Sequence, residues 1–410
     1  MTENSHMLSV ADAIARVTEG FSLIGSEQVG LSDAVGRVLA EDLNSRRNQP
    51  PVAVSSMDGY AVRTEDIADV PASLKQRGVS RAGDGYNGVV GVGECVRIFT
   101  GAPVPEGADA VVIQEVTSTD GDRIVISESA IKGADIRSAG IDFHVGKILL
   151  RAGKILSARD IGLAASMNIP WLLVRRRPQI SFVATGDEIV MPGNSLAEDQ
   201  IVSSNSFALG ALVRVLGGVP VDLGIARDTE DSLRSIILGA SGADALVTIG
   251  GASVGEYDLV RRVMIAEGLK LDFYKVAMRP GKPLIFGEWN KIPLLGLPGN
   301  PVSAGGTSAI FLRAAMEVML GTGDGNIVTE QVRLGRDLPQ NGKREDFMRG
   351  TLVQDTGGQL YATPFALQDS AMMALFAESN CLLIRAPYAP AAKAGDPVLI
   401  TRLDFGSLRF

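Results

Sequence analysis

Three short runs of small and amide-bearing residues could do chemistry together: Thr185-Gly186-Asp187-Glu188, Gly250-Gly251-Ala252-Ser253-Val254-Gly255 and Pro298-Gly299-Asn300-Pro301-Val302-Ser303. Glycine lets backbone N–H groups approach an anion with no side chain in the way, and a helix opening near Val302 adds its positive N-terminal end. Singly, each run is a tight turn after a strand. On one edge they read as a cradle for a phosphate-like anion. Lys275-Val276-Ala277-Met278-Arg279-Pro280-Gly281-Lys282-Pro283 adds a turn stiffened by two prolines and carrying Arg279 and Lys282, which reads as an oxyanion clamp. Glu188, Asp228 and Asp258 put carboxylates on the same rim, where a hard cation such as Mg2+ would relieve their repulsion from a phosphate. Taken alone, Asp228 and Asp258 each precede a helix and read as its cap.

The elements that must position these loops alternate strand and helix with short connections. Ile180 to Ala184, Val219 to Leu223 and Ala245 to Ile249 read as strands; Phe207 to Leu216, Ser232 to Leu238 and Leu259 to Ala266 read as helices, closed by Gly217-Gly218 and Gly242. This rhythm predicts a mostly parallel sheet covered by helices on both faces, with ligands beyond the carboxyl ends of its strands. Upstream, Ser9 caps a helix carrying Leu8, Ala11, Ile14 and Val17, and a second short helix is expected over Leu31 to Leu39. Short β-prone runs follow from Ala53 to Leu149: Glu94 to Phe99, Ala110 to Glu115, and Arg123 to Ser127 after an Asp120-Gly121-Asp122 turn. Ser157 to Met167 reads as helix and Pro170 to Val174 as strand, which makes the surrounding domain discontinuous. Arg175-Arg176-Arg177-Pro178 reads as a solvated linker before a strand, with a phosphate patch as the other reading. Beyond Val328, strands return at Gln331 to Leu334, Met348 to Val353, Cys381 to Arg385 and Pro397 to Thr401. In the N-terminal half, Ser56 to Ala61, Thr100 to Pro103, Arg137 and Asp142 are turns by spacing alone, and spacing does not choose a function for them.

Composition bounds the rest. A chain of 410 residues with 46% hydrophobic and only 5% aromatic residues packs small aliphatics in several domains rather than one core. Lys and Arg total 39 against 47 for Asp and Glu, a net charge of −8 that disfavours a nucleic-acid or anionic-membrane partner and makes any anion site local. Cys95 and Cys381 read as buried, inert thiols, and His6 and His144 are too few for a histidine zinc site or a Ser-His-Asp triad. The start lacks a signal-peptide pattern and no apolar run reaches membrane-spanning length, so the expectation is a cytoplasmic protein.

The motifs at Ser56 to Ala61, Thr100 to Asp109, Thr185 to Glu188, Gly250 to Asp258, Met278 to Pro283 and Leu297 to Ser303 resemble, in order and spacing, those of the molybdopterin molybdenumtransferase family, related to the gephyrin C-terminal domain. The resemblance runs from the first helix to the C-terminus. It implies an α/β plus β fold in an elongated, multi-domain subunit: a discontinuous domain over 8–52 and 143–177, a β-rich lobe over 53–142, a central three-layer α/β, molybdopterin-binding-like domain over 178–327, and a C-terminal β-barrel-like domain over 328–410. It further implies insertion of molybdenum into adenylylated molybdopterin with release of AMP, assisted by Mg2+, in a homodimer with shared active sites supplied by an upstream molybdopterin-adenylating protein.

Carried over by motif position, Asp58, Thr100, Arg137 and Asp142 come from the other subunit and act in catalysis with Glu188, Asp258, Lys275 and Lys282. Thr185, Gly186, Asp187, Asp228, Gly250, Gly251, Ser253, Gly255, Pro298, Gly299, Asn300 and Pro301 hold the pterin nucleotide. Glu188, Asp228 and Asp258 hold Mg2+, and Arg279, Lys282, Ser303, Arg344 and Ser370 hold molybdate. The chain departs from the family pattern in having Arg279 where Lys is frequent, Ala252 for Val, Ser203 for an acid or amide, and Ala371-Met372-Met373 beside Ser370. A scaffold protein that keeps this fold without catalysis and a nucleotide hydrolase on the same α/β layer are the two other readings.

Overall fold

The first helix, α1 (Val10–Glu19), starts where Ser9 Oγ accepts from Asp12 N at 3.1 Å. Three or four residues per turn put Val10, Ala13, Ile14 and Val17 on its buried face; Ala11, expected on that face, is exposed. The computed structural model describes residues 7–251 and 259–404. The expected helix over Leu31 to Leu39 is absent. A three-residue 3-10 turn, Leu31–Asp33, stands in its place, because Gly36 takes φ of +74° and Val38 and Leu39 then bridge to Ile155 and Val174 as extended chain.

The segments on either side of 53–142 do pack together. Ser26–Gly30 pairs antiparallel with Trp171–Arg175, and Leu43–Asn44 with Ile148–Leu150. Helix α2 (Ala158–Ser166) opens on a capping box between Ser157 and Asp160. Leu39, Leu43, Phe143, Leu150, Met167 and Leu172 share one apolar cluster. Between them lies a six-stranded sheet in the order Ala110–Ile113, Gly59–Val62, Glu94–Ile98, Ala72–Ser80, Arg123–Ile126, Thr117–Asp120.

The central sheet runs Val219–Ala226, Gln179–Thr185, Ala245–Ile249, Ile292–Leu297, Pro283–Trp289, Lys270–Lys275. The first four strands are mutually parallel; Pro283–Trp289 runs antiparallel to both its neighbours, so Lys270–Lys275 again points the same way as the first four, and the sheet is mostly parallel, as expected, with one reversed strand. Helices α3 (Ser204–Val215), α4 (Glu230–Ile237), α5 (Leu259–Ala266), α6 (Pro301–Thr307) and α7 (Arg313–Leu320) complete the layers. Residues of α3, α6 and α7, with those of α1, bury one face of the sheet, and residues of α4 and α5 the other. Two separate apolar clusters on opposite faces make a three-layer domain.

The C-terminal strands Glu330–Leu334, Glu345–Gln354, Leu360–Pro364, Cys381–Arg385 and Pro397–Arg402 close on themselves, since Glu345–Gln354 pairs with both Leu360–Pro364 and Cys381–Arg385. Helix α8 (Met373–Glu378) rests against α6, with the Phe376 ring over Gly305. Cys95 and Cys381 are free and buried, and loss of solvent pushes both thiols up to about 12. Among the described residues no helix is long and apolar enough to cross a membrane.

Candidate functional site

Three parallel strands of the central sheet end at one place. Thr185, at the end of its strand, is buried and its Oγ1 donates to Ile249 O at 3.4 Å. Gly250, after the next strand, takes φ of +89° and donates from N to Leu297 O at 3.1 Å. A Cβ there would stand 2.9 Å from Thr185 O, so only glycine fits at 250, and a Cβ on Gly299 would lie at contact distance, 3.6 Å, from Gly250 Cα; the three loops therefore touch. They enclose a cavity of about 410 Å³ lined by Thr185, Glu188, Gly250, Gly251, Ser303, the run Pro298 to Pro301, and Ile201 to Asn205.

The third loop is the most heavily braced. Asn205 Nδ2 donates to Gly299 O at 2.6 Å, Asn300 Nδ2 to Ser370 Oγ at 2.8 Å, and Val302 N to Ser370 O at 3.0 Å. Pro301 occupies the first helical position of α6, and a π-helical turn, Ser308–Leu312, carries the helix on into α7. Ser370 is itself held by a residue that sequence reasoning passed over. The fully buried Arg349 donates to the carbonyls of Leu367, Asp369 and Met372 and cages the loop from within.

The cationic turn lies alongside. Pro283 lines the cavity, and a Cβ on Gly281 would crowd Thr307, one helical turn beyond Ser303. Arg279 is not the unengaged cation expected of a clamp: it is ion-paired with Asp346, and Met278–Arg279 runs parallel to Glu345 and Asp346. Arg344 Nη1 donates to Met278 O at 3.4 Å. Lys282 is half-buried; its carbonyl accepts from Val276 N at 3.0 Å, but its side chain enters no hydrogen bond or ion pair among the described residues, leaving its charge available to a ligand. Lys275 Nζ lies 3.3 Å from Tyr274 Oη and 4.4 Å from that ring's centre, with Arg261 also stacked on the ring.

On the acidic rim, Glu188 lines the cavity, and Gly186 has no Cβ to crowd its carboxylate. Asp228 N donates to Asp187 Oδ1 at 3.2 Å, which brings these two acids side by side. Asp228 does not cap α4; Thr229 does, accepting from Ser232 N at 3.3 Å, because the chain is one residue further on when it turns helical. Ser253, Gly255 and Asp258 lie outside the described residues. Among those described, no three His, Cys, Asp or Glu side chains gather as metal ligands.

In the N-terminal half, Asp58 Oδ1 accepts from both N and Oγ1 of Thr100 at 2.8 Å, and these donors hold its carboxyl below the usual carboxylate range. Arg97 stacks on Tyr60 and Phe99 and donates to Gly59 O. Arg137 and Asp142 are exposed, and Asp142 N donates to Gln49 O at 3.0 Å. Asp58 and Thr100 are thus brought together, but neither they nor Arg137 and Asp142 line the cavity of the same chain. The Arg175-Arg176-Arg177 run is structural rather than a solvated linker: Arg176 grips Asp244 through both nitrogens, at 2.7 and 2.5 Å, and Arg175 donates to Ile24 O.

Comparison with known proteins agrees along the whole chain. Residues 8–168 match the family model described as the MoeA N-terminal region (domain I and II), 181–317 the probable molybdopterin binding domain, and 331–403 the MoeA C-terminal region (domain IV). A Nostoc sp. protein named molybdopterin molybdenumtransferase is 35% identical over 387 residues, covering 92% of this chain and 89% of its own. One of the same name from Haemophilus influenzae is 33% identical over 378 residues, covering 92% and 93%. The crystal structure of a molybdopterin biosynthesis MoeA protein from Pyrococcus horikoshii superposes with a TM-score of 0.86 at 30% identity, covering 97% of this chain and 99% of that one.

Proposed function

The chain belongs to the MoeA family of molybdopterin molybdenumtransferases, and from that membership we propose that it inserts molybdenum from molybdate into adenylylated molybdopterin and releases AMP. The observation that carries this reading is the meeting of the Thr185, Gly250 and Pro298 loops around one cavity, beside a turn bearing an uncommitted lysine. Glycine-bearing loops at the ends of parallel strands suit a nucleotide's phosphates, and Lys282 with Ser303 suits a tetrahedral dianion. Binding both substrates side by side converts a bimolecular encounter into an oriented one.

In this reading Thr185, Asp187 and the Gly250-Gly251 turn orient the pterin nucleotide, while Arg279, Lys282, Ser303, Arg344 and Ser370 hold molybdate. The carboxylates of Glu188 and Asp228 enter no salt bridge among the described residues, and hard oxygen donors fit Mg2+; with Asp258 they would hold it. When bound, the ion supplies charge neutralisation at the phosphoanhydride. Asp58, Thr100, Arg137 and Asp142 reach the site from a second copy of the chain, in a homodimer of subunits divided at 8–52 with 143–177, 53–142, 178–327 and 328–410. A molybdopterin-adenylating protein supplies the substrate.

The test is incubation of the purified protein with adenylylated molybdopterin, molybdate and Mg2+. AMP release together with metal-loaded cofactor is expected. Absence of both would sink the proposal, and AMP release without molybdenum insertion would reduce the chain to a hydrolase.

A further inference from the structure

We propose that Asp346 is a positioning residue for the oxyanion clamp: it holds the Arg279 guanidinium by one edge and offsets one of the clamp's positive charges, so that a dianion is bound loosely enough to be passed on. This inference rests on the clamp reading of Arg279 and Lys282.

The Asp346 side chain is 5% exposed and that of Arg279 is 56% exposed. A carboxylate so buried needs a charged partner, and among the described residues Arg279 is the one it has. The pair also joins two domains. Met278 and Arg279 lie in register with Glu345 and Asp346, Glu345 N donates to Ala277 O at 2.8 Å, and Arg344 donates to Met278 O. Strand pairing on both sides, with Arg279 and with Arg385, fixes the backbone that carries the buried carboxylate, so the guanidinium cannot carry it far on turning toward a ligand.

Arginine at position 279 matters here. A guanidinium has five donors in a rigid fork, and Asp346 takes one terminal nitrogen, which leaves the other edge for a tetrahedral oxyanion. A lysine could not present two fixed faces in this way. Alternation along the strand puts Glu345 on the opposite face, so Asp346 is the anion that a ligand on Arg279 would meet. The two would share one guanidinium, at a separation well inside the Debye length of about 8–10 Å, and their repulsion is therefore felt at physiological salt.

Asp346→Asn tests this, since it keeps the acceptor oxygen and the volume but removes the charge. Calorimetric titration of the full chain with molybdate, at low and high salt, should find Kd lowered about tenfold at low salt, with the gain fading as salt is raised. In turnover, KM for molybdate and kcat should fall together, a pattern that a purely structural lesion does not produce. Asp346→Ser, which also removes the charge, should move Kd in the same direction and serves if the Asn variant melts early. Unchanged or weaker molybdate binding in a folded variant overturns the proposal. Arg279→Gln separates the failures: unchanged affinity there sinks the clamp and this inference together, whereas lost affinity there without tightening at Asp346→Asn sinks this inference alone.

Discussion

Asp58 has its charge set by one neighbour. The Thr100 N–H and, next, the Thr100 hydroxyl favour the ionised carboxylate and lower its pKa. A folded value below the unfolded one contributes stability that is present above the unfolded pKa of about 3.9 and is lost as pH falls through the folded value. Thr100→Val removes the hydroxyl and keeps the N–H, so the Asp58 midpoint should rise part of the way toward its ordinary value. A carboxyl-carbon NMR titration reads this directly; an unmoved midpoint would mean that the hydroxyl does not bond to Asp58 in solution. Residue type and spacing were enough to single out Glu188 and Lys282, whereas Asp58 and Thr100 were turns by spacing alone and were named only through the family resemblance. They could not assign Asp346, an acid in a cationic run whose meaning appears only when Met278–Arg279 is laid beside it. Nor could they assign Arg349, whose three carbonyl partners come from a loop about twenty residues downstream.

At the level of elements, the loops that line the cavity are ordered by what braces them. Arg349 holds the Leu367 to Met372 segment, and through it Ser370 is set on Asn300 and Val302 at the start of α6. Its pKa is pushed down by burial, which marks the guanidinium as a desolvated charge kept in place by carbonyl dipoles. Arg349→Met leaves those carbonyls without their donor and should cost about 3 kcal/mol of stability. Denaturant melts would measure it, and a loss under about 1 kcal/mol would show that the cage is dispensable. The central strands and helices were legible because their apolar runs and glycine stops have clear periods; Ala245–Ile249 and Leu259–Ala266 match residue for residue. The helix expected over Leu31 to Leu39 failed because local propensity was outweighed by Gly36 and by the bridges to Ile155 and Val174. Leu360–Pro364 and α8 were not anticipated: unlike the apolar run Ala245–Ile249, Leu360–Pro364 is a mixed segment that ends in proline, and a six-residue helix carries too little periodicity to be read.

For the whole molecule, the question is how the Asp58–Thr100 pair meets a cavity that it does not line. If the site is shared between copies, mixing Asp58→Ala with Glu188→Ala chains after subunit exchange should restore about a quarter of the parent activity, because half of the random dimers are mixed and each then has one intact site. No restoration in AMP-release assays, with exchange verified, would count against a site shared between copies. What the amino-acid sequence determined by itself was everything governed by local chemistry: the strand-and-helix rhythm, the glycine turns, the buried thiols, and the motif order that identifies the family. The tertiary structure decided what depends on distant segments meeting. It committed Arg279 to Asp346, left Lys282 without an ion pair among the described residues, set Thr229 rather than Asp228 at the head of α4, and caged the Ser370 loop on Arg349. Spacing along a chain fixes which residue types are available, but an ion pair or a cage forms only where folding brings its partners within hydrogen-bonding reach and removes the water that would compete for them.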